Sequence, residues 1–235
     1  MMLSAETIEI MKNFSGINSN LLILPGKSIS TCNESGTIIA MAGVPEEFTE
    51  EIAIYDLGEF LNTLNLLDVP DFSVNNSSIV LKDTRTKIVY YLASQKVLSK
   101  KIVELAAKQF SVSDPKVSFL LSADDLQKLR KAASVFGLDQ LSFISEDGQS
   151  IQAMVKDNEV NSSNEFILDV GNSTIDNDIP FSIVVSFSQL KFIKGDYVMN
   201  FYVQPNGAKI SEFVHTASDI KYFCGLDRST TFGDQ

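Results

Sequence analysis

One sequence pattern occurs twice, and its two copies are separated by half the length of the chain. LSAETIEIMK begins at Leu3 and LSADDLQKLR begins at Leu121, 118 residues later in a chain of 235. In each copy a serine can cap a first helical turn, acidic residues follow it, and apolar residues recur at three- and four-residue spacing. Two amphipathic helix starts can look alike by chance, but the common offset favours an internal duplication. The pattern therefore predicts two related domains.

After each helix the apolar residues alternate with the period of two that is typical of strands. In the first half the predicted strands are 21–24, 27–31, 37–43, 48–55, 73–83 and 86–93. In the second half they are 140–146, 150–157, 165–171, 180–187, 196–204, 208–215 and 220–226. A second, shorter helix is predicted in each half, at 56–67 and at 186–194. The predicted layout is a domain at 1–92, a connector at 93–115 with a helical stretch at 99–110, and a domain at 116–235.

Composition excludes several classes of protein. The chain is 44% hydrophobic and has no run of about 18 apolar residues, so a folded chain without a membrane span is expected. The first residues lack the basic and then apolar layout of a secretory signal peptide. Cys32 and Cys224 are expected to be reduced core thiols. A net charge of -11 should repel nucleic acid, so a DNA-binding hypothesis must identify a local concentration of bases.

Catalytic and metal chemistry receive little support from the residues. His215 is the only histidine, and no cysteine or acidic cluster with metal-ligand spacing surrounds it, so it is interpreted as a strand residue with satisfied hydrogen bonds. Asp124 and Asp125 are better explained by the first turn of a helix, and Asp56 by a helix cap. No catalytic triad or phosphate-binding loop can be assembled, so neither enzymatic activity nor a cofactor is expected.

Four segments carry a resemblance to a known family. They are LSAETIEIMKNFSGINSNLLILPGK, EEIAIYDLGEFLNTL, LKDTRTKIVYY and LSADDLQKLRKAASVFGLDQLSF, in this order along the chain. They resemble the DNA polymerase sliding clamp of T-even-type bacteriophages. The resemblance implies an α+β fold, the duplicated DNA-clamp fold. In that fold each chain has two similar domains, helices line a ring, and antiparallel sheets form the outer wall.

The resemblance also implies a function and a set of partners. Clamps of this kind are homotrimeric rings that encircle double-stranded DNA without sequence specificity and tether the replicative DNA polymerase for processive synthesis. An ATP-dependent clamp loader opens the ring, and the clamp itself catalyses no reaction. A role in phage late transcription, and a location in the cytoplasm of the infected host, are implied as well. Three chains would carry a charge of about -33, which would keep DNA off the outer surface.

A ring that holds DNA by topology needs bases on its helices rather than base-reading side chains. In the second copy Leu126, Leu129 and Ala133 form the apolar stripe, which leaves the lysines on the opposite face. Six of the 19 bases fall on three predicted helices. The predicted DNA-facing residues are Lys12, Asn13, Lys128, Arg130, Lys131, Lys191 and Lys194. For any single lysine, an ordinary solvated helix face is the alternative.

Two further sites are predicted. An apolar edge strand can pair with the next chain, and the residues expected at this subunit interface are Ile88, Tyr90, Tyr91, Phe166 and Leu168. A pocket for partner peptides is expected in the connector, where an apolar anchor could insert. Its candidate lining residues are Val97, Leu98, Ile102, Val103 and Phe110, which could equally be packed as core.

Three hypotheses come from different classes. The first is the sliding clamp. The second is a duplicated α+β scaffold or binding protein that forms rings or dimers without DNA inside. The third is a small acid–base enzyme in a duplicated fold, which would require an intrinsic turnover.

Overall fold

The structure is a computed structural model that describes residues 2–68, 70–75, 77–106, 114–157, 160, 163–176 and 178–233. The chain divides into two compact units, unit 1 (Met1–Phe110) and unit 2 (Ser111–Gln235). Cys32 and Cys224 are buried and free, as predicted. Within the described residues, no helix is long and apolar enough to cross a membrane.

The described part of unit 1 combines three helices, two of which are adjacent, with antiparallel strands. In chain order its elements are α1 (Ala5–Ser15), β1 (Leu21–Ile23), β2 (Gly26–Cys32), β3 (Ile38–Phe48), β4 (Ile52–Ile54), α2 (Leu57–Leu64), β5 (Asp71–Asn75), β6 (Ser78–Lys82), β7 (Lys87–Tyr91) and α3 (Lys100–Ala106). Strand β1 pairs with β4, β2 pairs with β3, and β5, β6 and β7 form a meander. Helix α1 contacts both α2 and β3, so α1 and α2 lie side by side.

Helices α1 and α2 begin where their capping residues predict. The Ser4 hydroxyl accepts the N–H of Thr7 at 3.1 Å, and the Asp56 carboxylate accepts the N–H of Glu59 at 2.9 Å. Each cap satisfies one of the first-turn amides that have no partner within the helix. One face of each helix is buried, and the buried residues are Thr7, Ile10, Met11 and Phe14 in α1 and Leu57, Phe60, Leu61 and Leu64 in α2.

The segment after β7 is packed onto unit 1 as far as it is described. Helix α3 contacts β1 and β2. Leu98 and Ile102 are buried in one apolar cluster, whose other buried members are Leu22, Cys32, Ala53 and Leu105. Burial of this much apolar surface stabilises the segment against unit 1. The rest of the predicted helix, including Phe110, lies outside the described residues.

The described residues of unit 2 form two antiparallel sheets and one long helix. Its elements are β8 (Val117–Leu121), α4 (Ala123–Phe136), β9 (Gln140–Ser145), β10 (Ser150–Lys156), β11 (Glu165–Asn172), β12 (Phe181–Ser186), β13 (Tyr197–Val203), β14 (Lys209–His215), β15 (Ile220–Gly225) and β16 (Thr231–Phe232). One sheet has the order β11-β10-β9-β12-β16. In the other, β8, β13, β14 and β15 pair in that order. Helix α4 contacts β9, β10 and β11.

Aromatic side chains fill the space between these two sheets. Phe119, Phe201 and Phe213 come from one sheet and Phe143 comes from the other, and all four are fully buried. The ring centroids of Phe119 and Phe143 are 5.2 Å apart, and those of Phe143 and Phe201 are 6.0 Å apart. These distances are in the favourable range for aromatic pairs. The cluster therefore joins the sheets into one core.

Two predictions about unit 2 need correction. The segment 186–194, predicted as a helix, forms only a 3₁₀ turn at Phe187–Gln189. Beyond that turn, side chains of unit 2 bind the backbone at Leu190 and Ile193, so this backbone does not continue as a helix. Strands β8 and β16 were not predicted. The apolar run of β8 stands directly before the cap of α4, and its last residue, Leu121, is also the first residue of the repeated helix-start pattern.

Candidate nucleic-acid interface

Helix α4 presents its lysines to solvent. It begins at Ser122, whose hydroxyl accepts the N–H of Asp125 at 3.1 Å, and it ends at Gly137. This glycine has φ +68, a left-handed conformation that disfavours side chains. As predicted, Leu126, Leu129 and Ala133 form the buried stripe. The residues Lys128 and Lys131 are exposed. The 3.6-residue period therefore separates the core face from a lysine-bearing face.

One of these two lysines has an acidic partner. The Nζ of Lys128 lies 2.9 Å from an Asp125 carboxylate oxygen, and both groups are near the surface. This hydrogen bond raises the pKa of Lys128 and lowers the pKa of Asp125. An exposed pair of this kind contributes little to stability. It also compensates part of the positive charge of the α4 face.

Arg130 has a different environment from its neighbours. Its side chain is half-buried, and its guanidinium donates a hydrogen bond to the carbonyl of Leu190. Burial lowers the pKa of this guanidinium. The sequence predicts Arg130 on the flank of α4, among the DNA-facing residues. In the structure it connects α4 to the segment after the 3₁₀ turn.

That segment carries two more predicted DNA-facing residues. Lys191 and Lys194 are both exposed, although they stand on a loop and not on the predicted helix. Through Arg130, this loop is attached to α4. Unit 2 therefore brings the exposed Lys128, Lys131, Lys191 and Lys194 onto two neighbouring elements.

Helices α1 and α2 of unit 1 carry less positive charge than α4. On α1, Lys12 is exposed and Asn13 is half-buried, while Glu6 and Glu9 are also exposed. On α2 the exposed charged side chain is Glu59, and its last turn contains no base. Among α1, α2 and α4, positive charge is therefore concentrated on α4, while α3 of unit 1 carries the exposed Lys100 and Lys101, which the sequence analysis does not assign to the DNA-facing residues.

The predicted interface residues lie on strands at the ends of their sheets. Strand β7 is the last strand of its meander, and β11 is the last strand of its sheet. Along β7, Ile88 and Tyr90 are half-buried and Tyr91 is exposed. Along β11, Phe166 and Leu168 are half-buried. In the described residues of its own unit, neither strand has a partner on its outer side.

Both edge strands carry exposed apolar side chains, and each begins with a charged residue, which is basic on β7 and acidic on β11. The largest exposed apolar side chains are Tyr91 on β7 (77% exposed) and Ile167 on β11 (45% exposed). Lys87 begins β7 and Glu165 begins β11. The Tyr90 hydroxyl donates to the carbonyl of Asp56 at 3.2 Å, and burial raises the pKa of this tyrosine to about 12.

The structure locates an apolar cavity away from the connector residues that were expected to line a pocket. Its volume is about 460 Å³, and it lies in unit 2, lined by Pro115, Lys116, Val117, Ile175, Ile179, Val203 and Phe232. Of the connector residues expected to line a pocket, Leu98 and Ile102 are core, Val103 packs against that core, and Val97 is exposed. Phe110 lies outside the described residues. No sequence pattern indicates this cavity, because its lining comes from distant segments.

Comparison with known proteins gives the family. The chain is 30% identical over 230 residues to the sliding clamp of Vibrio phage KVP40. The alignment covers 97% of this chain and 99% of that protein. It is also 30% identical to the sliding clamp of Escherichia phage RB69, over 98% of this chain and 99% of that protein. The sliding clamp of Enterobacteria phage T4 is 24% identical over 84% of the chain. No family model matches the chain.

Solved structures show the same fold at low identity. The PCNA of A. fulgidus, bound to the C-terminal region of FEN-1, has a TM-score of 0.67 at 12% identity and covers 98% of both chains. The Helicobacter pylori beta clamp, bound to a DNA ligase peptide, has a TM-score of 0.66 at 11% identity over 99% of this chain and 67% of that one. The fold is the duplicated sliding-clamp fold, with antiparallel sheets, as predicted.

The chain belongs to the sliding clamp family, with relatives in T4-like phages. The resemblance carried by the four sequence segments is thereby confirmed. Because clamps are processivity factors, the protein is not an enzyme, and the acid–base hypothesis is excluded.

Proposed function

We propose that the protein is a homotrimeric ring that encircles duplex DNA and tethers the replicative DNA polymerase in the infected host cell. The observation that carries this proposal is the match to phage sliding clamps at 30% identity over nearly the full chain. The lysines on α4 and on the loop beside it support it. They are exposed in a chain of net charge -11, where phosphates would otherwise meet mostly repulsion.

Ring closure in this proposal joins β7 of one protomer to β11 of the next. Both strands end their sheets, and both have unpaired backbone groups on one side within the described residues. Main-chain hydrogen bonds across such edges are a common mode of association. Lys87 on one edge and the acidic side chains Glu165 and Asp169 on the other favour pairing of unlike edges. Head-to-tail contacts between unlike edges produce a closed ring when the rotation that relates successive protomers returns to the first protomer.

The retention of the loaded protein on circular DNA tests the proposal. After loading by its cognate ATP-dependent loader, the clamp should stay on a nicked circle at high salt, because the circle offers no end. It should leave the same DNA within seconds to minutes once the DNA is linearised, because a ring slides off free ends. Gel filtration, which separates DNA-bound from free protein, measures both when it is run before and after linearisation. Equal loss of the protein from circular and linear DNA at high salt would contradict the ring. Such a loss is expected of a groove binder, because it depends on salt-sensitive phosphate contacts.

The second candidate function is a scaffold ring without DNA in its centre. The exposed Glu6, Glu9 and Glu59 on the helices of unit 1 favour it, since they would repel a duplex. The same experiment separates the two functions. A scaffold would sediment as a ring but would not be retained on the circle.

The cavity in unit 2 is proposed to hold the apolar anchor of a partner peptide from the polymerase or the loader. Its lining is mostly apolar, and Lys116 at its side could meet an acidic residue of the peptide. The late-transcription machinery is included in this proposal as a further user of the cavity. Peptides are bound by the PCNA and beta clamp described above, which supports the same mode here.

Replacing Ile179 with arginine should weaken polymerase binding at least about tenfold, because a charge would have to be buried against the apolar anchor. Ile179 is 48% exposed, so the variant should remain folded. Calorimetric titration with the cognate polymerase measures the affinity. The matched control is Ile179→Val, which keeps an apolar surface and should bind within about twofold of the native protein. Unchanged binding by the arginine variant would place the anchor elsewhere.

A further inference from the structure

We infer that residues 190–195 form a latched loop that presents Lys191 and Lys194 to the DNA backbone, and that Arg130 positions this loop instead of contacting phosphate. This inference rests on the proposed function, since it names how part of the DNA-facing surface is built. A fixed loop here takes the place of the predicted helix. We call this segment the latched loop.

Side chains of one arginine and two tyrosines form hydrogen bonds to the backbone of the latched loop. The Arg130 guanidinium donates to the carbonyl of Leu190. Further along, the N–H of Ile193 donates to the hydroxyl of Tyr222 at 3.2 Å, and the hydroxyl of Tyr197 donates to the carbonyl of Ile193 at 2.6 Å. Burial raises the pKa of both tyrosines, so both hydroxyls stay protonated. Side chains from α4, β13 and β15 thus supply partners that a helix would have supplied internally.

An aromatic side chain anchors the middle of the loop. The Phe192 ring lies 5.0 Å from Tyr197, 4.7 Å from Phe213 and 4.6 Å from Tyr222, measured between ring centroids. Each distance is within the range of favourable aromatic contacts. Phe192 stands between the two lysines in sequence. Its packing against these three rings therefore fixes the position of the backbone that carries Lys191 and Lys194.

The end of the loop is packed against a histidine. A Cβ added at Gly195 would lie 2.0 Å from Nε2 of His215, a distance that no side chain can tolerate. The imidazole itself has little freedom, because its Nδ1 accepts the N–H groups of Ala217 at 3.1 Å and Ser218 at 3.0 Å. Its Nε2 lies 3.4 Å from the carbonyl of Lys194. His215 is thus the strand residue with satisfied hydrogen bonds that the sequence favours, and its ring packs against the end of the latched loop.

The consequence is a pair of lysines on a preorganised support. Both lysines are exposed, while the residues between and beside them are fixed by the hydrogen bonds and ring contacts described above. A fixed loop loses less conformational entropy when it meets phosphates than a mobile one does. Arg130 is the desolvated member of the six bases, and its guanidinium already binds a carbonyl. It therefore acts through the lysines as a positioning residue.

The test uses Gly195→Ala, which alters no charge. The logarithm of the affinity for a short labelled duplex is measured by fluorescence anisotropy against the logarithm of salt concentration. The double variant Lys191→Ala/Lys194→Ala should reduce the slope by about 1 for each phosphate that no longer binds a lysine. Gly195→Ala should reduce it toward the same value by displacing the loop. In the background of the double variant, Gly195→Ala should have no further effect, because the two changes act through one feature.

Arg130→Met provides a second, independent variant in case Gly195→Ala does not fold. It removes the donor to Leu190 but keeps an apolar stem of similar length. If Arg130 positions the loop, Arg130→Met causes no further decrease of slope when Lys191 and Lys194 are already alanine. A further decrease in that background would show direct phosphate binding and overturn the inference. Amide exchange at Ile193, whose N–H is bound by Tyr222, should accelerate in both latch variants.

The variant Lys128→Ala/Lys131→Ala separates failure of the latch from failure of the proposed function. It removes two lysines from α4 and leaves the latched loop intact. If it reduces the salt slope while Gly195→Ala and the alanine variants of the loop do not, the latched loop is wrong and the clamp stands. If neither pair of lysines affects the slope, the DNA-facing surface itself is wrong, and with it the inference.

Discussion

Replacing Val89 with proline should dissociate the proposed ring and leave unit 1 folded. The pairing of β7 with β6 explains why. Ile79 pairs with Tyr90, and just beyond the strand the N–H of Leu92 donates to the carbonyl of Ser77 at 2.9 Å. In an antiparallel ladder every second residue directs its amide to the same neighbour. The amides of Tyr90 and Leu92 therefore point to β6, whereas the amide of Val89 points to the outer edge.

A proline at this position removes the outward N–H and places its pyrrolidine group at the strand edge. It breaks no hydrogen bond inside unit 1. Each interchain hydrogen bond that is removed costs about 0.5–1.5 kcal/mol before steric effects are added. Three interfaces weakened by about 1.4 kcal/mol each lower the monomer–trimer association constant about 1,000-fold. Sedimentation equilibrium over a range of concentrations measures this constant, and processive synthesis should disappear in parallel.

The matched control is Val89→Thr, which keeps the β-branched shape and the amide hydrogen. It should assemble like the native chain, and both variants should have melting temperatures within a few degrees of it. A proline variant that still forms trimers at native affinity would remove β7 from the interface. A proline variant that unfolds would show instead that the outward amide serves unit 1 itself.

Replacing Phe201 with alanine should have the largest effect on stability. Its ring is fully buried and lies 5.9 Å from Phe119, 6.0 Å from Phe143 and 6.2 Å from Phe213. The substitution removes a central member of the cluster that joins the two sheets of unit 2. The free energy of unfolding should fall by about 3–5 kcal/mol, because transfer free energy is forfeited and a residual cavity remains.

Urea unfolding followed by circular dichroism measures this decrease. Phe201→Leu is the control, because it keeps most of the apolar volume and should cost about 1–2 kcal/mol. The order native, leucine, alanine is therefore expected for the midpoints. A decrease below about 1 kcal/mol in the alanine variant would mean that the four rings do not form a common core.

Much of the fold follows from local chemistry that the sequence displays. The caps at Ser4, Asp56 and Ser122 accept first-turn amides as predicted, because a capping interaction spans only a few residues. Alternating apolar residues located β9 to β15 for a related reason, since a strand with one buried face has a period of two. The family could be recognised from four segments, and the match to phage clamps confirmed it.

The segment after β12 shows where local chemistry fails. Its composition permits a helix, and Ser186 accepts the N–H of Ser188 as a helix cap would. The backbone at Ile193 is instead bound by Tyr222 and Tyr197, which are distant in sequence. Tertiary hydrogen bonds and the burial of Phe192 together outweigh the small propensity differences that local sequence encodes.

The duplication, the capped helices, the strand periods and the exposure of lysines on α4 can all be read from the chain of residues, because each depends on neighbours within a few positions. Folding in three dimensions was needed to bring Arg130 to a carbonyl of the latched loop, and to assign Leu98 and Ile102 to the core. It was needed as well to form an apolar cavity between residues as distant as Pro115 and Phe232. These features depend on which distant groups meet when water is excluded, and the free energy of such contacts has no local periodicity along the chain.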